Sequence, residues 1–227
     1  NLINSSPSTL YRLKKKNGEI KGFDNPGNFL PRTEIAETQE FYVTVYVILP
    51  DRYLGPVIKL CKDRRGVYKE TKYLDPSTIS LTFEMPLSEI MTNFFDRLKS
   101  VSSGYASIDY EYLEWRTSDL VKLDILFNGE VIPCFSSIVH SSRAYERGRQ
   151  LTLKLKEAIP SQLFALNIQA AIGGKIIARE TKRAYRKDVT AKLYGGDVTR
   201  KSKLLEKQKK GKKKMMITAA LIKNSER

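Results

Sequence analysis

The sequence predicts an α+β protein: a ferredoxin-like βαββαβ domain, then a small basic α+β domain of β-hairpins packed with one main helix, then a flexible basic tail. Three observations predict it. Between Phe41 and Leu113, segments of period-two and period-3.6 hydrophobicity follow one another in the order β-α-β-β-α-β. Past Asp119, Asn128-Gly129 sits between two β-rich runs, which is the preferred two-residue hairpin turn. The charge then shifts. Residues 1–118 hold 16 Lys/Arg against 15 Asp/Glu, whereas residues 119–227 hold 24 against 10.

Residues 1–40 read as the end of a preceding domain and a connector. Thr9 to Leu13 and Glu19 to Phe23 form short extended pieces around the turn Asn17-Gly18, and Asp24-Asn25-Pro26-Gly27 is rich in turn formers. The ferredoxin-like domain is placed at residues 41–117. Val43, Val45 and Val47 share one face of a strand that Pro50 ends. Leu54, Val57, Ile58 and Cys61 make one stripe of a helix stopped by Gly66, so Cys61 reads as a small buried apolar residue. Val67 to Leu74 and Thr78 to Glu84 flank the turn Asp75-Pro76-Ser77. Leu87, Ile90, Met91, Phe94, Phe95 and Leu98 give a second helical stripe, and Tyr105 to Leu113 the last strand, with Asp109 and Glu111 on its solvent face.

The basic domain is placed at residues 118–197. Leu120 to Phe127 and Glu130 to Cys134 form the hairpin, and Ser141 and Ser142 are able to cap a helix with Leu151, Lys154, Leu155 and Ala158 along its seam. Residues 163–171 and 175–181 make two more strands around Gly173-Gly174. Residues 198–227 hold too few apolar side chains to offset the entropy of ordering, which predicts a tail that is mobile when free.

The 227 residues suffice for two domains, and a 41% hydrophobic composition excludes wholesale disorder. No apolar run approaches the roughly 18 residues of a membrane span. Asn1 in first position fits a piece of a longer protein, and no signal-peptide pattern opens the chain. The two cysteines, Cys61 and Cys134, fit a reducing compartment and form neither a disulfide scaffold nor a zinc site. No residue reads as catalytic and none as a metal ligand. The chain has no GxxxxGK[ST], HExxH or GxSxG motif, Gly173-Gly174-Lys175 lacks the rest of a phosphate loop, and His140 reads as structural.

What the chain offers is cations. Residues 175–214 carry 16 basic and 4 acidic residues, and such segregation marks a surface for a polyanion. The candidate RNA contacts are Lys175, Arg179, Lys182, Arg183, Arg186, Lys187 and Lys192. They continue through Arg200, Lys201, Lys203, Lys207, Lys209 and Lys210. Tyr185 and Tyr194 are candidates to stack on an exposed base or ribose, and the glycine pairs at 173–174 and 195–196 would let backbone approach phosphate.

The run IQAAIGGKIIARET from Ile168 to Thr181, RKDV at 186–189, AKLYGGDVTRK at 191–201 and LLEKQKKGKKK at 204–214 resembles the C-terminal domain of the LepA (elongation factor 4) family. YLG at 53–55, RRG at 64–66 and FFDRLKSVSSGYASIDYE at 94–111 resemble the preceding domain of that family, itself similar to domain V of elongation factor G. Leu193 and Ser161 stand where the family commonly has cysteine and arginine, and the ending after Met216 lacks the family's acidic, proline-containing tail. The resemblance implies the C-terminal part of a translational GTPase that acts on stalled or mistranslocated ribosomes. Its partners would be rRNA near the A site and peptidyl-transferase region, and tRNA. GTP and Mg would belong to an N-terminal domain outside this chain, which would itself be no enzyme and need no cofactor. It also implies a monomer in the bacterial cytoplasm or an organellar matrix or stroma. The basic tail is able to attract anionic lipid on the inner membrane face. Two other readings remain: a fragment of another translational GTPase, and a free-standing basic RNA-binding protein. With no group to cradle a β-phosphate or hold its magnesium, the purified chain is expected to show no saturable GTP binding by titration calorimetry.

Overall fold

The computed structural model describes residues 9–193 and 195–225, and the chain divides into two compact units after Leu120. In the first unit, β1 (Tyr11–Lys15) and β2 (Ile20–Phe23) form a hairpin, followed by the strand β3 (Ile35–Pro50). Helix α1 (Leu54–Asp63) leads to the hairpin β4 (Val67–Asp75) and β5 (Thr78–Pro86). Helices α2 (Leu87–Met91) and α3 (Phe94–Val101) precede β6 (Ser107–Thr117).

The strand order is β2-β1-β3-β5-β4, with β6 also paired to β3, and every pairing is antiparallel. The segment β4-β5-β3-β6 is the ferredoxin-like sheet. Its inner face carries Val43, Val45, Val47 and Leu49 from β3 and Ile79, Leu81, Phe83 and Met85 from β5, all at most 1% exposed. Val57, Leu60 and Cys61 of α1 and Ile90, Phe94 and Leu98 of α2 and α3 cover that face. Asp109 and Glu111 lie opposite Tyr46 and Thr44 on the other face, where Tyr46 Oη donates to Glu111 at 3.1 Å.

Two local expectations change. The second helical stripe is two helices, because Asn93 between them adopts φ 55. A left-handed residue interrupts the ladder of amide-to-carbonyl bonds, and asparagine tolerates that conformation better than most. Ile90, Phe94 and Leu98 still point inward, while Met91 and Phe95 are exposed. Residues 11–23 form a hairpin hydrogen-bonded directly to β3, with Tyr11 opposite Glu40 and Leu13 opposite Thr38. Tyr11, Leu13 and Phe23 are buried there, so apolar contact as well as pairing holds the hairpin on the sheet.

Between β3, the end of α1 and α2, charge is buried in pairs. Arg65 donates to both carboxylate oxygens of Glu40, at 2.5 and 3.0 Å, and through Nε to Glu89 at 3.3 Å. Arg64 reaches the other Glu89 oxygen at 3.3 Å. A buried carboxylate costs several kcal/mol unless paired with good geometry. The bidentate fork supplies that geometry, and the turn that aims it needs Arg65 at φ 61. The following residue has no room for a side chain, since a Cβ on Gly66 would lie 2.7 Å from the carbonyl oxygen of Cys61.

In the second unit, β7 (Leu120–Phe127), β8 (Glu130–Val131) and β9 (Ser137–His140) precede α4 (Ser141–Ala158). The hairpin β10 (Leu166–Ile172) and β11 (Lys175–Lys182) follows, and α5 (Val198–Ser225) is the last element among the described residues. The sheet runs β11-β10-β7-β8, with β9 on β7. Asn128 and Gly129 take φ 53 and 93, and Gly173 and Gly174 take φ 55 and 83, the paired left-handed values of a tight hairpin turn.

Helix α4 packs through Ala144, Gly148 and Thr152, joined by the partly buried Leu151 and Leu155, whereas Lys154 and Ala158 are exposed. The expected seam thus shifts toward the small residues. A Cβ on Gly148 would lie 3.0 Å from that of Ala170, so helix and sheet meet more closely than any larger residue permits. His140, rather than either serine, caps the helix by accepting the amide of Ser142 at 3.3 Å.

Cys61 is fully buried, and burial pushes its thiol up to about 12, while Cys134 is exposed. Because the thiolate is the reactive form, alkylation of the native chain at mildly alkaline pH is expected to modify Cys134 alone. Mass spectrometry after a short iodoacetamide pulse, against a denatured control that takes two labels, checks this.

Candidate nucleic-acid interface

The candidate cations fall on β11, the loop after it and α5. Along β11, Glu180 lies on the α4 side, where Lys156 meets it at 2.6 Å. Arg179, one residue earlier, therefore projects from the opposite face, in register with Gln169. Lys175 starts the strand, exposed beside the Gly173-Gly174 turn. Both glycines of that pair are consumed by the turn.

Lys182 points back to α4, where its ammonium donates to the carbonyl of Lys156 at 2.9 Å. A cation on a carbonyl in the last turn of a helix also opposes the helix dipole, so Lys182 has a structural duty inside the unit. Arg183, Arg186, Lys187 and Lys192 are all exposed on a segment with neither helix nor strand. Tyr185 stands among them with its ring side open, 64% exposed, while its backbone is fixed by a bond from its amide to the carbonyl of Gln162 at 2.7 Å. A ring presented on an anchored backbone is suited to stack on a base. Tyr194 lies outside the described residues. Asp188 closes a small turn by accepting the amide of Thr190 at 2.9 Å, and that bond holds its carboxyl below the usual carboxylate range.

Residues 198–225 form a helix, where a mobile tail was expected. Counting apolar residues missed the stronger local signal. Lysine, leucine, glutamate, glutamine, alanine and methionine dominate this segment, and all are strong helix formers. Asp197 starts the helix by accepting the amide of Arg200 at 3.0 Å, and Glu206 pairs with Lys210 one turn on at 3.0 Å. Arg200, Lys203, Lys207 and Lys210 recur at spacings of three and four, so they form one exposed stripe, with Lys209 on a different exposed side. Lys201 turns inward, donating to the carbonyl of Gly195 at 3.1 Å.

Two further residues shape the site without having been singled out from the sequence. Gln208 donates to the carbonyl of Lys187 at 2.8 Å. Lys212 donates to the carbonyls of Tyr185 and, at 3.3 Å, Leu163. Their signal was present as an i, i+4 pair next to Leu204, but the acceptors are backbone atoms on distant segments.

The described residues hold no cluster of three or more His, Cys, Asp or Glu side chains able to bind a metal. Gly173-Gly174-Lys175 connects two antiparallel strands and opens no helix, so these residues do not fit a nucleotide phosphate and its magnesium. No helix among the described residues is long and apolar enough to cross a membrane.

Sequence comparison divides the chain at the end of β7. Residues 37–126 match the family described as Elongation factor G C-terminus, which defines the class as a translation-factor segment. Residues 127–225 match the family described as GTP-binding protein LepA C-terminus. Elongation factor 4 of Acetivibrio thermocellus is 55% identical over 94% of this chain. The elongation factors 4 of Halalkalibacterium halodurans and Mycoplasma mobile are 51% and 52% identical over the same 94%. The chain belongs to the elongation factor 4 (LepA) family, as a C-terminal part, and spans 35–36% of the length of these relatives.

If Asp197 caps α5, Asp197→Ala is expected to cost about 0.5–2 kcal/mol of local helix stability, and Asp197→Asn much less. Amide hydrogen exchange checks this: protection at the first turn of α5 falls in the alanine variant, and β7 and β10 are unchanged.

Proposed function

We propose that this chain is the ribosome- and tRNA-contacting C-terminal part of a translational GTPase that acts on stalled or mistranslocated ribosomes. GTP and Mg are held by an N-terminal domain of the parent protein, in the bacterial cytoplasm or an organellar matrix. The first unit serves as a docking module, and the second makes the RNA contacts near the A site and peptidyl-transferase region. The observation that carries this reading is the exposure of Arg179, Arg183, Arg186, Lys187 and Lys192 together with the Arg200-Lys203-Lys207-Lys210 stripe. Among the described residues, Lys210 is the only one of these with a carboxylate partner, at the surface. Cations left exposed on both an anchored loop and a helix suit phosphates better than they suit a protein partner, which would require matching carboxylates.

A helical α5 changes how affinity divides. A mobile tail would lose ordering entropy on binding, so each of its charges would contribute less than those of the loop. Helical lysines are already ordered along their backbone, which removes most of that difference. Replacing Arg179, Arg183 and Arg186 by glutamine, or Lys203, Lys207 and Lys210 by glutamine, is therefore expected to weaken 70S ribosome binding to a similar degree. Each set should flatten the slope of log affinity against log salt by roughly 2–3, about 0.7–0.9 per phosphate contact. A sedimentation titration over a salt series measures both. Unchanged slopes in both variants would mean that neither surface meets RNA.

A further inference from the structure

Residues 183–192, after β11, carry Arg183, Arg186, Lys187 and Lys192 with one carboxylate, Asp188, and no strand or helix of their own. Such a segment has two physical difficulties. Its backbone carbonyls lack the partners a sheet would supply, and its cations repel one another at short range. Left to itself it would spread.

Helix α5 answers both difficulties with two side chains one turn apart. Gln208 takes the carbonyl of Lys187 at 2.8 Å. Lys212 takes that of Tyr185 and, with the same ammonium, that of Leu163 at 3.3 Å. Leu163 lies on the segment between α4 and β10, next to Gln162, whose own carbonyl receives the amide of Tyr185 at 2.7 Å. Tyr185 is thereby anchored through both its backbone groups. The donor to the carbonyl of Lys187 is the neutral Gln208, which adds a donor without adding to the repulsion. The ammonium of Lys212 is directed at carbonyl dipoles, unlike its neighbours along the helix: Lys209, Lys210 and Lys213 are exposed, whereas Lys212 is half-buried.

We infer that Gln208 and Lys212 are positioning residues: they hold the loop's cations and the Tyr185 ring in the arrangement that meets structured RNA, and make no phosphate contact themselves. This rests on the reading of the second unit as an RNA surface. It divides the lysine run into two kinds. Lys209, Lys210 and Lys213 act by charge, and Lys212 by the shape it imposes on another segment. RNA bound to the loop would in turn stabilise α5, since the same bonds link them.

The experiment compares four forms of the full chain. Gln208→Ala removes a donor, leaves the net charge alone and favours the helix; Lys212→Met removes the ammonium; Lys213→Met is the charge control; and Arg183, Arg186 and Lys187 replaced by glutamine tests the surface itself. Two quantities are read. One is the rate of tryptic cleavage in the 183–192 loop without RNA, or, for the triple variant, hydrogen exchange there. The other is the affinity for bulk deacylated tRNA over a salt series. Gln208→Ala and Lys212→Met are expected to speed loop cleavage. Gln208→Ala should weaken tRNA binding about fivefold, the equivalent of one hydrogen bond, with the salt slope unchanged. Lys213→Met should leave cleavage alone and lower the slope by about one. If cleavage in Gln208→Ala matches the parent, the clamp does not exist. If cleavage rises while tRNA affinity holds, the loop's shape is irrelevant to binding and the inference fails. If the triple variant binds tRNA as the parent does, the RNA reading of this loop fails instead.

Discussion

Backbone carbonyls leaving the β10-β11 hairpin need donors, and the side chains that supply them determine where this protein presents its charge. Gln208, Lys212 and Lys201 all donate to carbonyls on the segment between β11 and α5 or beside it. Lys182 does the same at the end of α4. Each bond fixes a stretch that no ladder reaches. Because these donors turn inward, the remaining cations of the segment are exposed. A few bonds to main-chain atoms thus organise a surface that other side chains present.

The two units treat cations differently. In the first, Arg64 and Arg65 lie against Glu40 and Glu89, Lys69 and Arg116 against Glu84, and Lys15 against Glu19. Glu84 is held below the usual carboxylate range: burial raises it, but the hydrogen bonds and charge of Lys69 and Arg116 outweigh that effect. Charge there joins one element to the next, and Arg65 does so between the end of α1, β3 and α2. In the second unit, Lys122, Lys156 and Lys210 also meet carboxylates, but Lys182, Lys201 and Lys212 meet carbonyls, and Arg179, Arg183, Arg186, Lys187 and Lys192 are exposed. The near-neutral and strongly basic halves of the sequence therefore correspond to different structural uses of the same side chains.

Much of this was legible in the sequence, and the exceptions share a cause. The alternation of Val43, Val45 and Val47, the stripe through Val57 and Cys61, and the Asn128-Gly129 turn all follow from local period or local chemistry, and each is found in the structure. The break at Asn93 is a single dihedral inside a continuous apolar stripe, which period alone cannot reveal. The Ala144-Gly148-Thr152 seam is carried by closeness of approach rather than hydrophobicity. Helix α5 was hidden because its stability resides in backbone propensity and a cap. Among the candidate RNA residues, composition could identify the cations but could not separate Lys182 and Lys201, which bind carbonyls, from Arg183 and Lys203, which are exposed. That distinction depends on acceptors far away in the chain.

The length of β3 has an effect on how the first unit comes together in time. One edge of this 16-residue strand is shared in sequence by β1, through residues 35–40, and β5, through residues 42–50. The other edge is taken by β6, whose register places Ser107 opposite Ile48 and Thr117 opposite Gln39. As the polypeptide is synthesised, the first edge closes once the hairpin β4-β5 has emerged. The second stays open until residue 117 has been made, and its closure joins positions far apart along the chain, a slow kind of contact to form. During that interval a row of unpaired amides and carbonyls backs onto an apolar face, the arrangement most prone to pair with a neighbouring chain. The last strand of the unit is also the one that ends this exposure.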